Sequence, residues 1–211
     1  DMRRAVDAGR KEEAIRLFKR IAEKTALIIF PVMFFLLVSA DQFIQILYGR
    51  EYAESATPFR IYLLQLPRRI VLFGALLIAL GRNHTLLLIT SISLLCGSAI
   101  AVLMVRWIGP NGAAWGPLIP AYIIVIPVYL KIFSKDLNIH ITNILPYLKL
   151  IKICFIFIPA ILIPLFVDWV VAGENAVYGF VASLALVSMY CLLVWDKRLF
   201  SVRGLLKQYF D

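Results

Sequence analysis

The sequence predicts an all-α fold: a polytopic transmembrane helical bundle of six spans, preceded by a basic amphipathic helix. Three observations carry this reading. Hydrophobic residues make up 62% of the 211 positions and the mean hydropathy is +0.86, whereas soluble domains are about half apolar. The apolar residues fall in runs of about 20, the length a helix needs to cross about 30 Å of hydrocarbon. Lysine and arginine stand almost entirely between those runs, so the net charge of +9 suits a membrane surface and membrane lipids rather than nucleic acid.

Residues 6–24 place Ala14, Ile15, Phe18, Ile21 and Ala22 on one stripe, with Arg10, Lys11, Arg16, Lys19, Arg20 and Lys24 largely opposite. That pattern predicts an amphipathic linker helix over 1–24, lying on a membrane surface or solvated on its charged face. The first span runs from Thr25 to Tyr48, with Pro31 as an expected kink and Gly49 as its end. A polar turn through Arg50, Glu51 and Glu54 leads to Pro58, well placed in the first turn of the second span, which reaches Leu80.

A third span over His84–Trp107 carries Thr90, Ser91, Gly97 and Ser98, small and hydroxyl residues that let helices approach closely. Gly109-Pro110-Asn111-Gly112 is a turn. The fourth span, Ala113–Phe133, is expected to bend at Pro117, Pro120 or Pro127, and a basic connector then runs to Lys152. The fifth span is Tyr147–Val167 with Pro159 and Pro164; after an acidic turn the sixth is Ala176–Trp195, and a basic tail occupies 196–211. Cys96, Cys154 and Cys191 each sit inside an apolar run without C-x-x-C spacing, as packing residues rather than a zinc or disulfide framework. The chain opens on Asp1 without a signal-peptide pattern and reads as a fragment of something longer.

With a cytoplasmic amino terminus, seventeen lysines and arginines fall in the inner segments and three, Arg50, Arg60 and Arg106, in the outer turns. The positive-inside rule then puts both ends in the cytoplasm.

The remaining two cations, Arg68 and Arg69, lie inside the second span, IYLLQLPRRIVLFGALLIAL. Counted from Arg60 they sit about 12–14 Å along the axis, close to mid-depth. A cation facing lipid there costs roughly 2.5–3.5 kcal/mol or more, so such residues usually face a bundle interior or a water-filled cavity. One reading is an anion site. The other is that Pro67 bends the helix and both side chains snorkel to the outer headgroups. Arginine stays protonated and its planar fork fits phosphate oxygens. Gln65 would add a hydrogen bond to a sugar, or bond a neighbouring helix; Tyr62 and Trp115 would stack on sugars, or act as interfacial anchors. On a regular helix Arg69 shares a stripe with Tyr62, Gln65 and Leu72, which favours it over Arg68 as the anion ligand.

The amphipathic helix, the proline-containing span, the run Ala40-Asp41-Gln42-Phe43-Ile44-Gln45-Ile46-Leu47-Tyr48-Gly49-Arg50-Glu51-Tyr52, and Ala79-Leu80-Gly81-Arg82 closing the next span follow in that order. In this the chain resembles the polysaccharide biosynthesis flippases, the O-antigen and exopolysaccharide repeat-unit exporters of the multidrug/oligosaccharidyl-lipid/polysaccharide superfamily. Gly109-Pro110-Asn111-Gly112-Ala113-Ala114 is similar to that family's G-x-x-G-A-A turn. The resemblance implies the second of two six-span bundles facing a central cavity, in the bacterial inner membrane. It implies as cargo an undecaprenyl-pyrophosphate-linked oligosaccharide, and as partner the N-terminal six-span bundle of the same protein. It also implies a functional arginine in the cavity, since the lipid II flippases carry one in the corresponding span.

Two other functions compete. A membrane-embedded polysaccharide polymerase or ligase would be expected to show a sizeable outer loop with convergent His, Arg or carboxylates, but the outer turns are short and His84 and His140 fall on the inner side. A cation-coupled drug exporter of the same superfamily would favour an intramembrane carboxylate, and Asp41 and Asp168 lie only near span ends. No phosphate loop, nucleophile elbow or metal-ligand cluster is present in the sequence. The chain is therefore read as a non-enzyme without cofactor or metal.

Overall fold

In the computed structural model, residues 11–71, 73–137, 139–170 and 176–194 are described. The basic tail, the start of the linker and Glu174 lie outside them. Helices account for nearly all of these residues and no strand occurs among them.

The chain begins as one helix, α1 (Lys11–Val38), which continues without interruption through Pro31. Its amphipathic part is buried in the bundle: Ile15, Phe18, Ala22 and Ala26 are each at most 8% exposed. Those residues recur at the three- and four-residue spacing of one helix face. Phe18 packs on Phe73 and Phe133, with ring centroids 6.4 and 6.3 Å apart. The first apolar helix ends at Val38 and not at Tyr48, because Ser39 leaves helical geometry (ψ 20°) and a separate helix α2 (Ala40–Tyr48) follows. Backbone bonds from Ser39 to Phe35 and from Phe43 to Ser39 carry the chain across the break. Asp41 and Gln42, just beyond it, turn to polar partners on other helices.

The second apolar segment is three short helices, α3 (Ala56–Leu63), α4 (Leu66–Ile70) and α5 (Phe73–Ala79). Next comes α6 (Asn83–Ile108), the most peripheral helix, with only 11% of its most apolar stretch buried. Thr90 and Ser98 each donate to their own helix, to the Leu86 and Leu94 carbonyls, and Thr90 also reaches Tyr129 on the fourth segment. Gly97 meets the backbone of Gly116. Gly109 takes φ 77°, a left-handed geometry that suits glycine, and a 3-10 turn follows through Pro110–Ala114.

The fourth segment is α7 (Trp115–Pro120), one π-helical turn (Ala121–Val125) and α8 (Ile126–Leu137). The prolines at 120 and 127 flank that wide turn, and Pro127 withholds the N–H that Ile123 would accept in a regular helix. The fifth is α9 (Tyr147–Ile156) and α10 (Pro159–Val170), separated by a break before Pro159. The last described helix is α11 (Ala176–Val194).

Four of these segments are long and apolar enough to cross a membrane: Ile15–Val38, Asn83–Ile108, Pro110–Leu137 and Tyr147–Val170. The bent second segment makes a fifth if it counts as one, and α11 is a shorter apolar helix.

Polar side-chain contacts between helices gather at two levels of the bundle. At one level Arg60 pairs with Asp41, and Gln42 Nε2 donates to Asp168 (2.9 Å). At the other, Arg82 pairs with Asp136 (2.7 Å) and Lys149 with Glu23 (2.9 Å). Along α1 and α2 the two sets are about 27 Å apart, and along α9 and α10 about 28 Å, close to the thickness of the hydrocarbon layer.

Candidate functional site

Both arginines sit on α4, a five-residue helix with a break on either side. Pro67 causes the first. Its ring nitrogen offers no hydrogen to Leu63, and its ring crowds that carbonyl. The chain responds by tightening to three-residue bonds: Leu64 to Ile61 (3.2 Å), Gln65 to Tyr62 (3.0 Å) and Arg68 to Gln65 (3.2 Å). Across this turn α3 and the helix beyond it bend by 41°. On the far side Val71 is extended (φ −100°, ψ 111°). The bend expected at Pro67 thus lies just before it, at Leu64–Gln65.

The tightened turn changes which residues share a face. With about three residues per turn, every third position is eclipsed, so Tyr62, Gln65 and Arg68 follow one another along the broken stretch. The stripe of Tyr62, Gln65, Arg69 and Leu72 expected from the sequence assumes the wider 3.6-residue repeat. Arg68 and Gln65 are half-buried, while Tyr62 and Arg69 are exposed. Leu72 lies outside the described residues.

Opposite this break stands the π-helical turn of the fourth segment. Its Tyr122 hydroxyl donates to the Leu64 carbonyl at 2.7 Å, and Arg68 is within electrostatic reach of both Tyr122 and Tyr129. Trp115 is half-buried against the Ile61, Ala114 and Leu118 cluster. Below the arginines, Phe73, Tyr129, Phe133 and Phe18 form a continuous ring contact, with Phe73 5.4 Å from Tyr129 and 6.0 Å from Phe133. Among the described residues neither Arg68 nor Arg69 is paired with a carboxylate. Two permanently charged guanidiniums without counter-ions, on non-regular backbone between apolar helices, are suited to an anion. Backbone of that kind at membrane depth is tolerated where protein or a water-filled cavity surrounds it.

The sequence did not single out Tyr122. Its signal was the pairing of a proline in one apolar run with a tyrosine at similar depth, between two prolines, in another. Among the described residues no group of three or more His, Cys, Asp or Glu side chains is gathered as a metal site would need.

No curated protein and no solved structure matches the chain. Residues 8–57 match a family described as polysaccharide biosynthesis protein; the match stops short of Arg68. The match covers α1, α2 and the Ala40–Tyr52 run on which the resemblance to the polysaccharide biosynthesis flippases rests.

Proposed function

We propose that this chain is the second bundle of a transporter that flips an undecaprenyl-pyrophosphate-linked oligosaccharide across the bacterial inner membrane for cell-surface polysaccharide synthesis. The family match supports a role in polysaccharide biosynthesis. The observation that carries the finer reading is the pair of arginines without counter-ions on a broken helix between apolar neighbours. A pyrophosphate crossing a low-dielectric bundle needs fixed positive charge, and the two-pronged guanidinium supplies it with geometry. Arg68 is the first ligand in this proposal, with Arg69 beside it, Gln65 toward the sugar and Tyr62 as a stacking face.

Six spans with both ends cytoplasmic complete the proposal. The two sets of polar contacts support it: the Asp41, Arg60 and Asp168 ends group on one side, and the Glu23, Arg82, Asp136 and Lys149 ends on the other. An up-and-down path through the membrane requires that alternation.

The test is replacement in the intact protein. Arg68→Ala with Arg69→Ala should abolish glycan export at normal membrane levels, and lysine at both positions should restore it only in part. Normal export by the double alanine variant would remove the anion site, and full rescue by lysine would favour snorkelling anchors.

A further inference from the structure

Two spans break their helices in the same register. Pro67 and Pro159 each lack an N–H, and the next N–H, that of Arg68 or Ala160, reaches back only three residues, to Gln65 (3.2 Å) or Phe157 (3.0 Å). The carbonyl three residues before each proline, Leu64 or Ile156, thereby loses its helical partner. In both cases a tyrosine hydroxyl from another helix donates to it: Tyr122 to Leu64 at 2.7 Å and Tyr190 to Ile156 at 2.6 Å. An unpartnered carbonyl in hydrocarbon is costly, so each tyrosine makes its break tolerable.

The two tyrosines differ in their surroundings. Tyr190 is packed edge-on against Phe157, with centroids 6.5 Å apart. Tyr122 is 40% exposed, sits on the π-helical turn and lies within electrostatic reach of Arg68. Single π turns often mark places where a helix has been adjusted for function.

We propose that Tyr122 is a positioning residue that holds the arginine-bearing helix open at Leu64 and so sets the direction of Arg68. When its bond is released, the Leu64 carbonyl accepts the Arg68 N–H and the turn relaxes toward 3.6 residues. Each residue then advances about 100° instead of about 120° around the axis, so Arg68 swings by about 80° over the four residues from Leu64. Tyr122 thus governs whether the guanidinium faces the site. This rests on the anion-site reading for its functional meaning, but the geometry is testable without it.

The experiment uses the intact protein in membranes with Cys96, Cys154 and Cys191 replaced by alanine and Arg69→Cys as reporter, labelled by a water-soluble thiosulfonate. Tyr122→Phe should change the labelling rate at least about threefold, within the range commanded by one neutral hydrogen bond. Tyr190→Phe, the equivalent loss at the break before Pro159, should leave it unchanged. Pro67→Ala supplies the missing N–H, so it should shift labelling in the same direction and make Tyr122→Phe silent in its background. With both arginines present, Tyr122→Phe should lower glycan export about fivefold. Unchanged labelling in Tyr122→Phe, or an effect of full size alongside Pro67→Ala, overturns the proposal. Where Tyr122→Phe fails to accumulate, restored accumulation with Pro67→Ala supports it and continued failure overturns it. Export that survives loss of both arginines removes the anion site, whereas the labelling result stands or falls separately.

Discussion

Replacing single glycines along the contact between α6 and the fourth segment should give a graded series, because the space at each differs. A Cβ at Gly116 would stand 2.6 Å from the Ala101 Cβ and 2.7 Å from the Gly97 carbonyl oxygen, where ordinary contact begins at 3.4 Å. The two helices must therefore separate by about 0.8 Å, and a gap of that order forfeits a quarter to a half of each van der Waals contact along the seam. With on the order of 30 atom pairs at about 0.15 kcal/mol each, the loss is about 1–2 kcal/mol, within the usual range for overpacking. Gly112→Ala should cost more, since its Cβ would fall on the Met104 carbonyl and 2.7 Å from the Val105 nitrogen, backbone atoms that have no rotamer to yield. Gly97→Ala meets only the Gly116 carbonyl closely, at 3.1 Å, and should cost less than about 1 kcal/mol. Gly74, with Leu86 3.8 Å away, is the neutral control. Heating detergent-solubilised protein and measuring the fraction that remains monodisperse gives the ranking directly. Should Gly112→Ala match the parent while Gly97→Ala unfolds first, the close approach of these helices is wrong.

Phe18→Ala should destabilise by about 3–5 kcal/mol in the same heating assay, because its ring is 2% exposed among Phe73 and Phe133; no loss would put that stripe on the membrane surface instead. Asp136→Asn, which leaves Arg82 a neutral partner in place of a carboxylate that is 14% exposed, should cost on the order of 1 kcal/mol; unchanged heat resistance would show that the pair contributes nothing to stability. Single cysteines at Glu54, Asn111 and Glu174 should react with impermeant reagents from the periplasm, and those at Lys135 and Lys207 only from the cytoplasm. Reaction of the Lys135 position from outside would overturn the six-span topology. The purified chain in liposomes should move no glycan lipid without its facing bundle, and transport by it alone would contradict the two-bundle proposal.

Much of the helix order was legible because apolar runs of the right length are punctuated by Gly49, Gly81 and Gly109, and the third segment, read as His84–Trp107, is Asn83–Ile108 in the structure. What ends or breaks a helix inside an apolar run was harder to read. Hydropathy does not distinguish Ser39 leaving helical geometry from a hydroxyl bonded to its own helix, as Thr90 is. Pro31 and Pro67 look alike in sequence, yet α1 continues through Pro31 while the helix breaks before Pro67. At Pro67 the exposed Leu64 carbonyl has a tertiary partner, Tyr122, which the local sequence around either proline does not reveal. For the same reason the depth of Arg68 and Arg69 could be counted from Arg60, but their facing could not: a face is computed from an assumed 3.6-residue repeat, and that repeat fails between Tyr62 and Arg68.

The two levels of polar contacts also act as a ruler. In a thicker bilayer a span must lengthen or draw its polar ends into hydrocarbon, and the unbroken α6 has no break to open. The second segment does, since straightening its 41° bend would extend two arms of about 12 and 20 Å by about 2 Å in total. Membranes of different composition differ in thickness by a few ångströms. Lipid composition would therefore act on the segment that carries the arginines, and bilayer thickness becomes a mechanical input to the site.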